Sequence, residues 1–396
     1  MVLTRRNTLL GLSAVIATGP VRLALAAAET SRRFVVVLLR GALDGLSAVV
    51  PYGDPHLRPL RAGLVPADPE RPGGLLDLGG FYGLDPALGG VHAMYREGAV
   101  LPVHAIAGPY RTRSHFEAQD LLQTGGMNAS ITSGWLNRVV AELSGAGPDV
   151  SALAVGMGMP LLLRGQAPVG SYAPARFATP SPDLYRRIAA LNQPDPLLGP
   201  AIARGLHELH FDQEVLDPDG EPERAIHRGY GFPELAAAAG KLLADPEGPR
   251  IAAFQLEGWD THASQVALLH GPLAGLDAGL VMLRKSLGEA WQQTMVLVIT
   301  EFGRTARMNG THGTDHGTAT VAFLLGGRVA GGRVRGTWPG LGPDQLFQNR
   351  DLAPTADIRA LAKGALGEQF GLSQAALSRV FPESGAAEPM TGLLRS

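Results

Sequence analysis

The 396-residue chain has no cysteine. That excludes disulfides, zinc–thiolate sites, iron–sulfur clusters and a cysteine nucleophile. It also lacks any long run of lysine or arginine, and its formal charge is only −2. Nucleic acid is therefore not an expected partner. Past the N-terminus no segment is expected to span a membrane. The N-terminal apolar stretch is broken by Gly11, Gly19, Pro20 and Arg22, short of the roughly 18–20 unbroken residues a spanning helix needs. No internal repeat or low-complexity tract is present.

The first residues carry an address. Thr4-Arg5-Arg6-Asn7-Thr8-Leu9-Leu10 joins an arginine pair to an apolar stretch, and Ala24, Ala26, Ala27 and Ala28 offer small residues for cleavage. This order reads as a twin-arginine signal peptide over residues 1–28, with Thr8 where Phe is favoured. The expected location is periplasmic or secreted. An N-terminal membrane anchor is the alternative, and the interruptions above disfavour it. Loss of residues 1–28 would remove Arg5, Arg6 and Arg22 and no acid, taking the formal charge to −5.

Hydrophobic residues make up 45% of the chain, which is globular rather than disordered. Phe34-Val-Val-Val-Leu-Leu39, Thr294-Met-Val-Leu-Val-Ile-Thr300 and Thr320-Val-Ala-Phe-Leu-Leu325 are apolar without alternation. Such runs are strands buried on both faces. Residues 99–106 and 250–257 read as further strands, and 264–288 as an amphipathic helix. Residues 51–90, rich in proline and glycine, read as a surface excursion. Residues 157–249 read as a cap-like insertion, with helices near 183–192, 198–216 and 233–244. The last helix is expected near 355–366. Strands alternating with helices argue an α/β fold: a three-layer sandwich, its central mostly parallel sheet covered by helices on both faces. Residues 29–396 form one such domain.

Sites on these sheets form at the carboxyl ends of strands. Asp44, Asp260 and Glu301 each follow a strand within a few residues. Gly258-Trp-Asp-Thr-His262 alone is open between a metal clip, a catalytic dyad and a hydrogen-bonded turn. Three carboxylates converging from distant parts of the chain favour a metal, since they stay ionised together only with cations among them. His262, Asp315 and His316 add donors suited to zinc or manganese. Ser114 opens a helix, and Ser114-x-x-Glu117 is also a capping box that needs no chemistry. A hydroxyl there faces the positive end of the helix dipole, where an oxyanion would bind. Arg111, Arg113 and His115 flank Ser114 in sequence and are placed to help hold an anion, and Arg304, three residues after Glu301, is open equally between binding an anion and pairing with that acid. Trp135 and Trp259 read as core or pocket walls, and His207, His210 and His227 as a solvated face of the cap.

The stretches "LLRGALDGLSAVVPYGDP", "YRTRSHFEAQD", "GWDTHASQ", "VITEFGRTARMNG" and "GTDHGTATVAFLLGGRVAGGRV" together resemble an exported bacterial family, domain of unknown function 1501, within the alkaline phosphatase–sulfatase superfamily. The resemblance covers nearly the whole chain after the leader. It implies an alkaline phosphatase-like fold with one or two divalent ions at the strand ends. Asp44 and Ser114 would hold one ion, and Asp260, His262 and His316 the other. The superfamily usually has Asp-His where this chain has Glu301-Phe302, and a phenylalanine cannot ligate. Asp315, His312 or His115 are placed to compensate. A sulfatase is disfavoured, because Ser114-His115-Phe116-Glu117-Ala118 lacks the C/S-x-P-x-R context.

The leading functional reading is an exported metal-dependent hydrolase of phosphate or sulfate-like esters. Ser114 is its nucleophile, Arg113 assists, and a small anionic ester is its substrate. The alternative is a non-catalytic metal-binding or assembly protein of the same fold, with an unidentified protein partner. An isomerase or mutase has only the shared superfamily fold behind it.

Overall fold

The computed structural model describes residues 21–22, 31–128, 130–144, 151–156, 158–173, 202 and 231–395. Among the described residues the central sheet has nine strands: β1 (Val21–Arg22), β2 (Arg33–Leu39), β3 (Val100–Ala107), β4 (Ala152–Val155), β5 (Gly170–Tyr172), β6 (Ile251–Leu256), β7 (Thr294–Thr300), β8 (Thr320–Gly326) and β9 (Ala356–Asp357). Their order is β1-β5-β4-β6-β2-β7-β8-β3-β9. β5, β4, β6, β2 and β7 run parallel, as do β3 and β9. β8 is antiparallel to both neighbours, and β1 to β5.

β2 shows why the apolar runs are strands. Val35, Val37 and Leu39 enter one core and Phe34, Val36 and Leu38 the other, because successive side chains leave a strand on opposite faces. Helices cover both cores. Among the described residues the helices, in chain order, are α1 (Gly45–Ala48), α2 (Leu57–Arg61), α3 (Gly89–Arg96), α4 (His115–Thr124), α5 (Trp135–Ser144), α6 (Phe232–Ala244), α7 (Gln265–Leu287), α8 (Ile358–Phe370) and α9 (Gln374–Val380). α3, α6 and α7 pack on the first face, and α5, α8 and α9 on the second. The expected α/β sandwich is met.

Several expectations need correction. Residues 51–90 are not merely a surface excursion: Leu57, Leu75, Leu84 and Leu88 are buried, and Leu76–Asp77 and Gly83–Leu84 form a small sheet with Val49–Val50. The ends of the supposed cap belong to the body, since β5 joins the sheet and α6 packs on α7 in the core. The helices read at 183–192 and 198–216, and His207, His210 and His227, lie outside the described residues. So does the leader, except Val21–Arg22. α5 and β4 were not foreseen. The helical segment Gln265–Gln293 is long and apolar enough to cross a membrane by length and composition, contrary to expectation. Its Leu269, Leu273, Leu276, Leu280 and Leu283 are buried in the core. Trp135 and Trp259 are buried.

One buried histidine ties the sheet to this added layer. His104 on β3 donates from Nε2 to the Val49 carbonyl at 2.9 Å and accepts the Ala105 N–H at 2.8 Å on Nδ1. The neutral ring is fully satisfied, and burial pushes its pKa down to about 4. An unfolded histidine titrates near 6.5, so acidification favours the unfolded chain. Stability should fall as pH drops from about 6.5 to about 4, by up to roughly 3 kcal/mol from this group. Urea melts of the wild type and His104→Gln across that window would show a steeper wild-type decline. Identical slopes would contradict the assignment.

Candidate metal centre

β2, β3, β6 and β7 end at the same edge of the sheet, and β8, running the other way, begins there. Strand direction therefore gathers residues after four strands and before a fifth. Two glycines allow the loops to touch. Gly41, at φ +121°, brings the end of β2 against Asp260, where a Cβ would lie 2.7 Å from the Asp260 nitrogen. A Cβ on Gly313 would lie 2.3 Å from the His262 carbonyl carbon.

Three groups form the heart of the cluster: His115, Asp260 and His316 offer ligand atoms all within 4.8 Å of one another. His115 Nε2 lies 3.0 Å from His316 Nε2 and 3.5 Å from Asp260 Oδ2. His316 Nε2 lies 3.3 Å from Asp260 Oδ1. His262 borders the group from the other side of His316, with its Nε2 2.9 Å from His316 Nε2 and 3.1 Å from Asp260 Oδ1.

The opposite ring nitrogens are all engaged. His115 Nδ1 donates to Glu301 Oε1 at 2.7 Å. His316 Nδ1 donates to the Arg113 carbonyl at 3.0 Å. His262 Nδ1 faces Asp315 Oδ1 at 3.3 Å. These acceptors place the proton on Nδ1 and leave Nε2 with a lone pair. Lone pairs of His115 and His316 then face each other at hydrogen-bond distance, which is favourable only with a cation or proton between them. Donors around a tetrahedral zinc are spaced roughly 3.3 Å apart, given Zn–N of about 2.0–2.1 Å. The donor set and spacing fit a divalent ion, and carboxylates behind the rings are the usual means of aiming metal-ligating histidines.

The titration shifts agree. The hydrogen bond that His115 donates to Glu301 raises the His115 pKa, against the effect of burial. Burial and the neighbouring His115 hold His316 below its usual value. Burial would raise Asp260 and Glu301, but Arg304 outweighs it for Asp260, and His115 with Gln119 for Glu301, so both are lowered.

This geometry revises the expected roles. Glu301 and Asp315 stand behind the imidazoles. Glu301 is also filled by the Gly41 N–H, Gln119 and Thr300, and Asp315 accepts from Asn309. Asp44 is fully buried, and Arg61 takes its Oδ2 at 2.6 Å. Ser47 donates to Asp44 as well, as do Gln265 and the Leu46 N–H, so it is committed away from the cluster. His115, expected at the substrate or in place of the missing histidine, is in the cluster itself, whereas His312 is not. Phe302 takes no ligand place and stacks on His115 with centroids 4.9 Å apart.

The arginines also depart from expectation. Arg304 has no exposed side-chain surface and holds Asp260 Oδ1 at 2.7 Å, so it positions a ligand rather than meeting substrate. Arg113 is clamped by Asp351 through Nε at 3.0 Å and Nη2 at 2.7 Å, and its φ of +61° turns its carbonyl to His316. Arg111 folds onto the Gly108 and Tyr110 carbonyls. Ser114 is the half-buried N-cap of α4, yet its side chain makes no capping hydrogen bond. Glu117 instead accepts from Tyr110, so the capping box is not formed. Two residues were missed. Gln119 carried no signal in the sequence. Asp351 is a lone acid in a turn-rich region, and only the fold shows that it anchors Arg113, Arg350 and Thr318.

Fold and cluster together define an α/β protein with a histidine-rich candidate cation site at the carboxyl edge of its sheet. The chain belongs to the family described as "Protein of unknown function (DUF1501)", whose model matches residues 103–381. No curated protein matches the sequence. Among solved structures it is similar to a protein in the alkaline phosphatase superfamily from Vibrio parahaemolyticus, with 10% identity, 93% of this chain and 76% of that chain covered, and a TM-score of 0.38. It is similar to a phosphonate monoester hydrolase of Agrobacterium radiobacter, with 12% identity, coverage of 86% and 74%, and a TM-score of 0.40. It is also similar to the C-terminal periplasmic domain of EcEptC from Escherichia coli in complex with Zn, with 12% identity, coverage of 77% and 76%, and a TM-score of 0.34.

Proposed function

We propose that the chain is an exported hydrolase of anionic esters that works with one divalent cation, zinc or manganese. His115, Asp260 and His316 hold the ion, His262 stands at its border, and Ser114 is the nucleophile. The observation that carries this is the approach of the His115 and His316 Nε2 atoms to 3.0 Å, each ring fixed from behind through its Nδ1. One ion rather than two follows from Arg61, which already neutralises Asp44, and from Phe302. A cation at such a site supplies Lewis acidity and lowers the pKa of an oxygen brought against it.

The chain's own groups do the rest. Ser114 sits between Arg113, whose carbonyl orients His316, and His115, a ligand. Its hydroxyl is free of the capping role, at the positive end of a ten-residue helix where negative charge is stabilised. In the reaction Ser114 Oγ bonds to the phosphorus or sulfur and the ester oxygen leaves as the alcohol, taking up the proton that Ser114 gives up. Water then cleaves the serine ester and restores the hydroxyl. Arg304 and Glu301 keep Asp260 and His115 in place throughout. Export rests on the Arg5-Arg6 leader.

Ser114→Ala tests the nucleophile. Because Ser114 makes no capping bond, the change should cost less than about 0.5 kcal/mol of stability. It should nevertheless lower hydrolysis of aryl esters by orders of magnitude, with ion content unchanged. Undiminished activity would rule Ser114 out. The Arg61–Asp44 pair and Phe302 are also what a non-catalytic cation-binding relative would carry. An ion-loaded wild type inert on every ester would establish that reading instead.

A further inference from the structure

We infer that Asp351 is the residue that positions His316 for the ion, acting through two arginines and the left-handed turn at Arg113. This rests on the ion-binding part of the reading above.

Asp351 has no exposed side-chain surface. Among the described residues its carboxylate takes hydrogen bonds from three side chains, and each leads to His316. Arg113 donates to Oδ2 from Nε at 3.0 Å and from Nη2 at 2.7 Å, and the Arg113 carbonyl accepts from His316 Nδ1 at 3.0 Å. Arg350 donates from Nη1 to Oδ1 at 3.0 Å, and from the same nitrogen to the His316 carbonyl at 2.8 Å. Thr318, two residues after His316, donates to Oδ2 at 2.8 Å. One carboxylate thus holds the His316 ring through Nδ1, the His316 carbonyl, and the chain just beyond it. Asp351 is itself fixed by backbone hydrogen bonds to and from Phe347, at 3.0 and 2.9 Å.

The turn at Arg113 shows what this hold achieves. Its φ is +61°, a left-handed conformation that a long L side chain adopts at a cost. Such strain persists where the surroundings over-determine it. The two hydrogen bonds from the guanidinium to Asp351 supply that determination, and Gln348 adds one to Nη2 at 2.7 Å on the exposed side. Released, Arg113 would relax to negative φ and swing its carbonyl off His316 Nδ1. The ring proton could then move to Nε2, which removes the lone pair the ion needs. The same turn leads into Ser114, so the nucleophile would shift with it.

The test titrates the chelator-stripped protein with cobalt(II), whose visible absorption reports ligand geometry, and with zinc in competition. It compares the wild type with Asp351→Asn, Arg113→Ala and Arg113→Gly, each under conditions where circular dichroism shows it folded without ion. Asp351→Asn should weaken ion binding by about 10- to 100-fold, the effect of losing an outer-shell partner, and should shift the cobalt spectrum. Arg113→Ala, which leaves Asp351 held by Arg350 and Thr318, should do the same. Arg113→Gly breaks the same pair but takes positive φ without strain, so it should bind the ion about fivefold more tightly than Arg113→Ala. Should Asp351→Asn fail to fold, the two Arg113 variants decide. A merely structural role lowers stability and leaves the affinity and spectrum of the folded variants unmoved. That result, or glycine no better than alanine at position 113, overturns the inference and leaves the ion site standing. A wild type that binds neither cobalt nor zinc overturns both.

Discussion

Arg61→Ala should destabilise the fold by about 3–5 kcal/mol, the cost of removing one partner from a buried ion pair. Arg61 is fully buried. It donates to Asp44 at 2.6 Å, to the Ala306 carbonyl at 2.8 Å and to the Thr305 carbonyl. Without it, Asp44 is left charged behind Leu46, Ser47 and Gln265, and two carbonyls of the Glu301–Arg307 loop lose their donor. The pKa of Asp44, lowered because Arg61 outweighs burial, should rise. The stability the pair contributes is present above the unfolded carboxylate value and is lost as pH falls through the lower folded one. The double change Arg61→Met with Asp44→Leu removes both charges and should recover most of the loss. Urea melts of the three proteins decide the matter. A loss under about 1 kcal/mol for Arg61→Ala would mean the pair behaves like an exposed one.

His316→Ala should weaken ion binding by more than about 100-fold, the upper range for losing an outer-shell partner alone. His316 stands between His115 and His262 and touches Asp260, so among the three histidines it alone meets every other member of the cluster. With the ion at 100 times its dissociation constant, binding stabilises the wild type by about 2.7 kcal/mol. That increment should vanish in the variant. In chelator the order changes: the variant should match the wild type or exceed it, because the facing lone pairs are relieved. Melting curves with zinc, with manganese and with chelator separate the cases. Equal destabilisation with and without ion would make His316 a packing residue.

The strands were legible because burial on both faces leaves an unbroken apolar run, as in Phe34–Leu39 and Thr294–Thr300. The acids following them were legible for the same reason, and Phe302 declared itself a non-ligand. Strand direction was not legible. An apolar run reads the same either way, yet the reversal of β8 is what sets His316 at the edge where the other strands end. Nor could the sequence say which face of a carboxylate meets what. Asp44, Glu301 and Asp315 all occupy positions suited to ligands. Asp44 is claimed by an arginine from a segment whose proline and glycine read as surface, while Glu301 and Asp315 hold imidazoles from behind. The sequence named His115 as one of three candidate substitutes for the missing histidine, and a helix-start motif gave nothing that singled it out from His312 and Asp315. Gln119 and Asp351 act only through partners far away in the chain, so no local pattern marks them.

The most direct measurement is the ion content of the purified chain after saturation with zinc or manganese and removal of excess, read by elemental analysis against protein concentration. The account expects one ion per chain in the wild type and in Arg61→Met with Asp44→Leu, and none retained in His316→Ala. Two ions per chain in the wild type, or one that survives His316→Ala at undiminished affinity, would contradict it.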